Sequence, residues 1–194
     1  MYQLGYSVSK GLTTKVFNLM RGVIEEWVSE VMPKYTVKAG GAVAVDEKRL
    51  CTDKSGRQIW AVAILDMNSP LSVTLKIVDN RSSGNLVGAI RDCVPTTRRA
   101  RTTVITDDLR AYKKLRLYEY EHTIGFDNSY TDHPIKQFWR EIMSKIRPYK
   151  CITPKNHKKL FSEAYWKYYC DKHSINRNEH LLSLIKRSSK LTLD

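Results

Sequence analysis

Two apolar runs in this chain each stop on a pair of carboxylates. One is Gly41-Ala42-Val43-Ala44-Val45-Asp46-Glu47 and the other is Thr102-Thr103-Val104-Ile105-Thr106-Asp107-Asp108. A buried strand that ends on an acid delivers that acid to the edge of a sheet, where a rigid scaffold can hold chemistry. Taken singly, each run reads as a strand followed by a solvated turn. Taken together, Asp46 and Asp107 on adjacent strands could share a divalent cation, since Mg²⁺ prefers carboxylate oxygen.

A second kind of chemistry lies in the charge. The formal net charge is +13 with a sequence pI near 9.6. Residues 136 to 190 hold 14 Lys and Arg against 4 Asp and Glu, so most of the excess sits in the last third. Such asymmetry points to an acidic polymer as partner, nucleic acid before a membrane surface, because Trp and Tyr interrupt the basic region and no continuous apolar face opposes it. The face expected to bind duplex DNA, with little sequence preference, carries Arg140, Lys145, Arg147, Lys150, Lys155, Lys158 and Lys159.

Other classes are disfavoured. Cys51, Cys93, Cys151 and Cys170 are widely spaced without a Cys-x-x-Cys pair, so reduced thiols are expected rather than a disulfide framework. Cys170-x-x-His173 with His180 falls short of the four well-spaced ligands of structural zinc. No signal peptide is expected, and even Ile59 to Leu65 is far below membrane-spanning length, so a soluble, intracellular (cytoplasmic), DNA-associated protein is expected.

The elements that must position these residues follow from periodicity. Val16, Leu19, Met20, Val23, Ile24, Trp27, Val28 and Val31 recur at helical spacing before Pro33, which predicts a helix over 15–32. It packs on the main domain or is a remnant of a helix-turn-helix module. Val43 to Asp46, Ile59 to Asp66 and Leu71 to Val78 read as strands with short connections, hence an antiparallel meander. A helix over Ser82 to Val94 then allows the Thr102 to Thr106 strand to run parallel to its neighbour. A helix start at Asp107, a fifth strand within Tyr118 to Phe126, and helices from Pro134 toward Pro148, over Lys155 to Lys172 and over Asn178 to Arg187 complete the chain. The division expected is 1–36, an N-terminal helical segment, and 37–194, an α/β domain.

In element order and in the residues at element ends, the chain resembles the ribonuclease H-like fold of DDE transposases and retroviral-type integrases, most closely the small insertion-sequence transposases. Val43-Ala44-Val45-Asp46-Glu47 resembles their first catalytic segment, with Asp46 at the acid position. Ile105-Thr106-Asp107-Asp108-Leu109-Arg110-Ala111-Tyr112 resembles the second, with Asp108 where a Gly is usual. His133-Pro134-Ile135-Lys136-Gln137-Phe138-Trp139 resembles the third, with Lys136 in place of the catalytic Glu. The resemblance implies a mixed sheet of about five strands flanked by helices. It also implies catalytic positions Asp46, Asp107 and Lys136, metal ligands Asp46 and Asp107, Mg²⁺ or Mn²⁺ if the chain is active, DNA as partner, and a homodimer as one assembly open to it.

Cleavage and strand transfer at a phosphodiester use metals to activate the attacking oxygen and stabilise the leaving one, which three converging acids serve and two serve poorly. A Lys ammonium has donors only and ligates no Mg²⁺. Glu141 lies five residues further along the same helix, about 140° away around its axis, and Asp132 precedes the helix start. The expected function is a transposase- or integrase-like protein of impaired catalysis. The rivals are a non-catalytic DNA-binding or architectural protein on the same scaffold and, more distantly, an interaction protein with an acidic partner other than DNA.

Overall fold

The computed structural model describes residues 10–31, 41–52, 55–125, 133–147 and 156–188. Its centre is a five-stranded sheet, β1 (Ala42–Thr52), β2 (Gln58–Asp66), β3 (Ser69–Val78), β4 (Thr103–Thr106) and β5 (Glu121–Ile124), in the order β3-β2-β1-β4-β5. The first three strands form the expected antiparallel meander, and β4 and β5 extend the sheet in parallel from β1. A parallel neighbour needs a crossover, which α2 (Ser83–Cys93) and a 3₁₀ turn at Thr96–Arg101 supply between β3 and β4. This is the ribonuclease H-like mixed sheet that the sequence led one to expect.

Alternation along β1 sorts the two faces. Val43 and Val45 point with Val62, Ile64 and Val104 toward α2 and a 3₁₀ segment, Arg110–Tyr118. Ala44 points with Ala61, Ala63 and Leu65 toward α3 (Pro134–Ile146), α4 (His157–Lys172) and α1 (Lys10–Val31). Each layer buries a continuous apolar cluster, the main favourable contribution to folding. α5 (Arg177–Arg187) closes the second layer through Leu184.

α1 is buried only in its second half. Val23, Ile24 and Val28 join the core, Arg21 bonds Glu163 of α4 at 2.9 Å, and Trp27 meets Tyr169 and His180 edge-on at 5.0 Å, whereas Val16, Phe17 and Leu19 face solvent. The helix therefore shares the core of the α/β layer at one end and projects from it at the other.

Two local expectations change. β1 does not stop at Asp46 but runs on to Thr52, because β2 pairs with it along that whole length. The segment after Asp107 is no α-helix: Asp107 closes a turn by accepting the Leu109 N–H at 3.1 Å, and the chain then winds as 3₁₀ from Arg110. A side-chain acceptor ahead of Leu109 competes with helical backbone bonding, so the Asp107 carboxylate favours a turn.

Candidate functional site

β4 is shorter than β1, and the site lies where β1 loses that neighbour. Ala42 pairs with Thr103, Val43 with Val104 and Ala44 with Ile105. Two further residues along both strands bring Asp107 level with Asp46. Asp46 has the same parity as Ala44 and points to the α3 layer, and both acids line one cleft of about 830 Å³. Asp107 is fixed from behind, since the buried Thr106 hydroxyl donates to the Asp107 carbonyl at 2.6 Å and is hydrogen-bonded to His122 Nε2 at 2.8 Å.

α3 forms the facing wall. His133 caps it by accepting the Ile135 N–H at 3.4 Å, and Pro134 occupies its first turn, where a missing N–H costs nothing. Ile135, Phe138, Trp139, Ile142 and Ile146 make the buried stripe, which leaves Lys136, Arg140, Met143 and Arg147 as the adjoining stripe along the cleft. Lys136 Nζ lies 2.9 Å from Asp46 Oδ2, with both side chains largely buried. Burial pushes the Asp46 carboxyl up to about 6, against the lowering effect of Lys136 and with smaller upward contributions from Glu47 and Asp107.

Glu47 has opposite parity and a separate role. Its side chain is almost wholly buried, receives the Tyr112 hydroxyl at 2.5 Å and pairs with Arg81. Burial first, and the Glu47 carboxylate second, hold the Tyr112 hydroxyl well above its ordinary range, so it stays a donor. Arg81 in turn lies over the Trp60 ring at 4.7 Å. This network ties β1 to the segments on the other side of the sheet and sets Arg81 at the mouth of the cleft.

The walls are cationic. Lys48, Arg49, Arg81, Lys136, Arg140 and Arg147 line the cleft against Asp46, Glu47 and Asp107, so six cations face three acids, two of which are already paired. Other basic positions expected on one face are distributed differently. Lys145 turns to α4 and bonds Asp171 at 2.6 Å, Lys158 pairs with Glu25 of α1 at 3.1 Å, Lys159 is half-buried on α4, and Lys150 and Lys155 lie outside the described residues. Glu141 bonds Lys172 at 2.7 Å on the side of α3 away from the cleft, and Asp132 also lies outside the described residues.

The roles of Glu47, Arg81, Trp60 and Tyr112 were not read from the sequence. The Ala111-Tyr112 pair belongs to the second motif, but the pairing of a hydroxyl with a carboxylate 65 residues earlier has no local signature.

No protein-family model and no curated protein matches the chain. Among solved structures it is similar to a chain of the simian T-cell lymphotropic virus intasome in complex with PP2A regulatory subunit B56 gamma, at 14% identity and a TM-score of 0.48, covering 70% of this chain and 51% of that one. It is also similar to the HTLV-2 integrase catalytic core domain in complex with magnesium. The trimeric form gives 11% identity, a TM-score of 0.43 and coverage of 70% and 85%; the dimeric form gives 13%, 0.44, and 66% and 85%. The chain thus spans about half the length of the intasome chain it matches. At these identities and scores no residue-by-residue correspondence follows.

The site's own residues answer whether a metal pair fits. Among the described residues no group of three or more His, Cys, Asp and Glu converges in a way that could hold a metal ion. Two aspartates converge, and the position opposite them carries an ammonium bonded to one of their oxygens. Hard divalent cations need oxygen ligands, and Lys136 offers a competing positive charge instead. The described residues do not fit a two-metal centre.

Proposed function

We propose that this chain is a DNA-binding protein of the transposase and integrase type, built for recombination by phosphodiester cleavage and strand transfer but impaired in that chemistry by Lys136. The observation that carries the reading is the level placement of Asp46 and Asp107 at one cationic cleft, with the α3 side chain opposite them engaged with Asp46. Residues 37–194 then form the DDE-type domain, and the helix within 1–36 buttresses it through the contacts of Trp27 and Arg21. The Lys136 ammonium neutralises the acid that would otherwise repel phosphate, so DNA enters a cleft of net positive charge without a metal.

A second reading, a non-catalytic DNA-binding or architectural role on the same scaffold, is favoured by the same ion pair, which leaves DNA contact intact while removing the metal. Both predict binding of labelled duplex whose affinity falls linearly in log K against log salt, with no nicking in Mg²⁺ or Mn²⁺. A partner that is acidic but not DNA would lack that duplex binding. Metal-dependent nicking by the unmodified chain, abolished in Asp107→Asn, would show that another residue supplies the third ligand and would refute the impairment.

A further inference from the structure

A second concavity, of about 460 Å³, opens on the other side of Arg81, between the start of α2 and the 3₁₀ segment that follows Asp107. We propose that it binds a backbone phosphate of the same nucleic acid and carries the DNA path out of the cleft and around the end of the sheet. The proposal rests on the DNA-binding reading above and extends it to a surface that the basic C-terminal helices do not form.

Its lining includes Arg81, Arg110, Lys113, Lys114, Ser82 and Ser83, and no acid. Arg110, Lys113 and Lys114 are exposed, and none of them forms an ion pair with a described acidic residue. Three like charges crowded on one turn repel one another, a cost that a bound anion removes. The start of α2 points the same way. The Ser82 hydroxyl accepts the Asn85 N–H at 3.3 Å, while the first-turn amides of Ser83 and Gly84 have no acceptor within the helix and sit at its positive end.

Arg81 joins the two concavities, since it lines both. Its pairing with Glu47 and its stacking on Trp60 hold the guanidinium in place before any ligand arrives. Phosphate oxygens are the acceptors that a guanidinium fork, two ammonium groups and helix-terminal amides recognise together. The surface reads no base edges, so it positions the duplex without selecting its sequence.

The test compares the full chain with Arg110→Ala/Lys113→Ala/Lys114→Ala, whose side chains are exposed, after circular dichroism has shown the same fold. Binding of a labelled 30-base-pair duplex, a probe length of about three helical turns, is measured across a salt series. The expected result is a salt slope shallower by about 1, from about 0.9 per phosphate contact, with weaker binding to unrelated sequences alike. A triple variant with the parent's affinity and slope overturns the second site while leaving DNA binding by the cleft intact. Absence of salt-dependent duplex binding by the parent chain overturns the underlying reading and this site with it. Inorganic phosphate is titrated in parallel by NMR. Saturable phosphate binding lost in the triple variant, with duplex binding unchanged, would mark a small-anion site and overturn the proposal.

Discussion

Lys136→Glu should convert a chain indifferent to divalent metal into one that needs it. The ammonium lies 2.9 Å from a carboxylate that is about 7% exposed, so its removal leaves Asp46 without its counter-charge and adds a third acid nearby. Breaking a buried pair from one side costs about 3–5 kcal/mol, and a chain of this length loses about 2–4 °C in Tm per kcal/mol. The metal-free variant should therefore melt about 6–20 °C below the parent at pH 8. Mn²⁺ at about 100 times its Kd would return about 2.7 kcal/mol, or about 5–11 °C, while the parent's Tm should move by less than about 1 °C, as binding too weak to populate the site contributes almost nothing. The pH dependence has a definite sign. Asp46 sits at about 6 in the fold against 3.8 as its ordinary value. A raised carboxyl weighs against the fold fully above its folded pKa and not at all below its unfolded one, so the penalty grows as pH rises from about 4 to 6 and reaches about 3 kcal/mol. Without Lys136 that window extends upward, and the metal-free variant should recover stability on acidification. Differential scanning fluorimetry with and without Mn²⁺, at pH 5 and pH 8, reads both effects. A parent chain stabilised by Mn²⁺ as strongly as the variant, or a folded variant that ignores the metal, would refute the argument that Lys136 stands in the metal's place.

Tyr112→Phe should cost about 1–3 kcal/mol in urea unfolding, because the buried Glu47 carboxylate loses its one buried hydroxyl donor and keeps only Arg81. Gly125→Ala should cost about 1–3 kcal/mol or more, since a methyl there would lie 2.2 Å from Ile105 Cγ2; Ile105→Ala should partly relieve that cost, which a thermal melt of the double variant would reveal. Replacing Lys155, Lys158 and Lys159 with Ala should weaken duplex binding similarly for unrelated sequences and flatten the salt slope; an unchanged slope would assign those charges to solvation.

The sheet was legible because alternation and turn residues are local signals: the meander, the parallel β4 and the helical stripe of Ile135, Phe138, Trp139 and Ile142 follow from spacing alone. That position 136 adjoins the buried stripe follows from the same spacing, whereas its placement opposite Asp46 is an expectation that only the resemblance supplies. What the sequence hid was set by pairing at a distance. The end of β1 depends on how far β2 accompanies it, and Arg81 acquires its role from Glu47 and Trp60, neither of which is near it in the chain. The basic C-terminal residues looked like one face because they are dense in sequence, yet Lys145 and Lys158 are engaged by acids on α4 and α1.

The half-buried α1 has a consequence for amide exchange. A helix of about 10 residues standing alone is marginal in water, so the exposed turns from Lys10 to Leu19 persist because they propagate from the turns that Val23, Ile24 and Val28 anchor. Protection against deuterium should accordingly climb along the helix from its first turn to its last, with the opening free energy rising toward the global value only past Met20. The helix is thereby a graded spring: stiff where it meets Tyr169 of α4 and His180 of α5, and compliant at the end that carries Phe17.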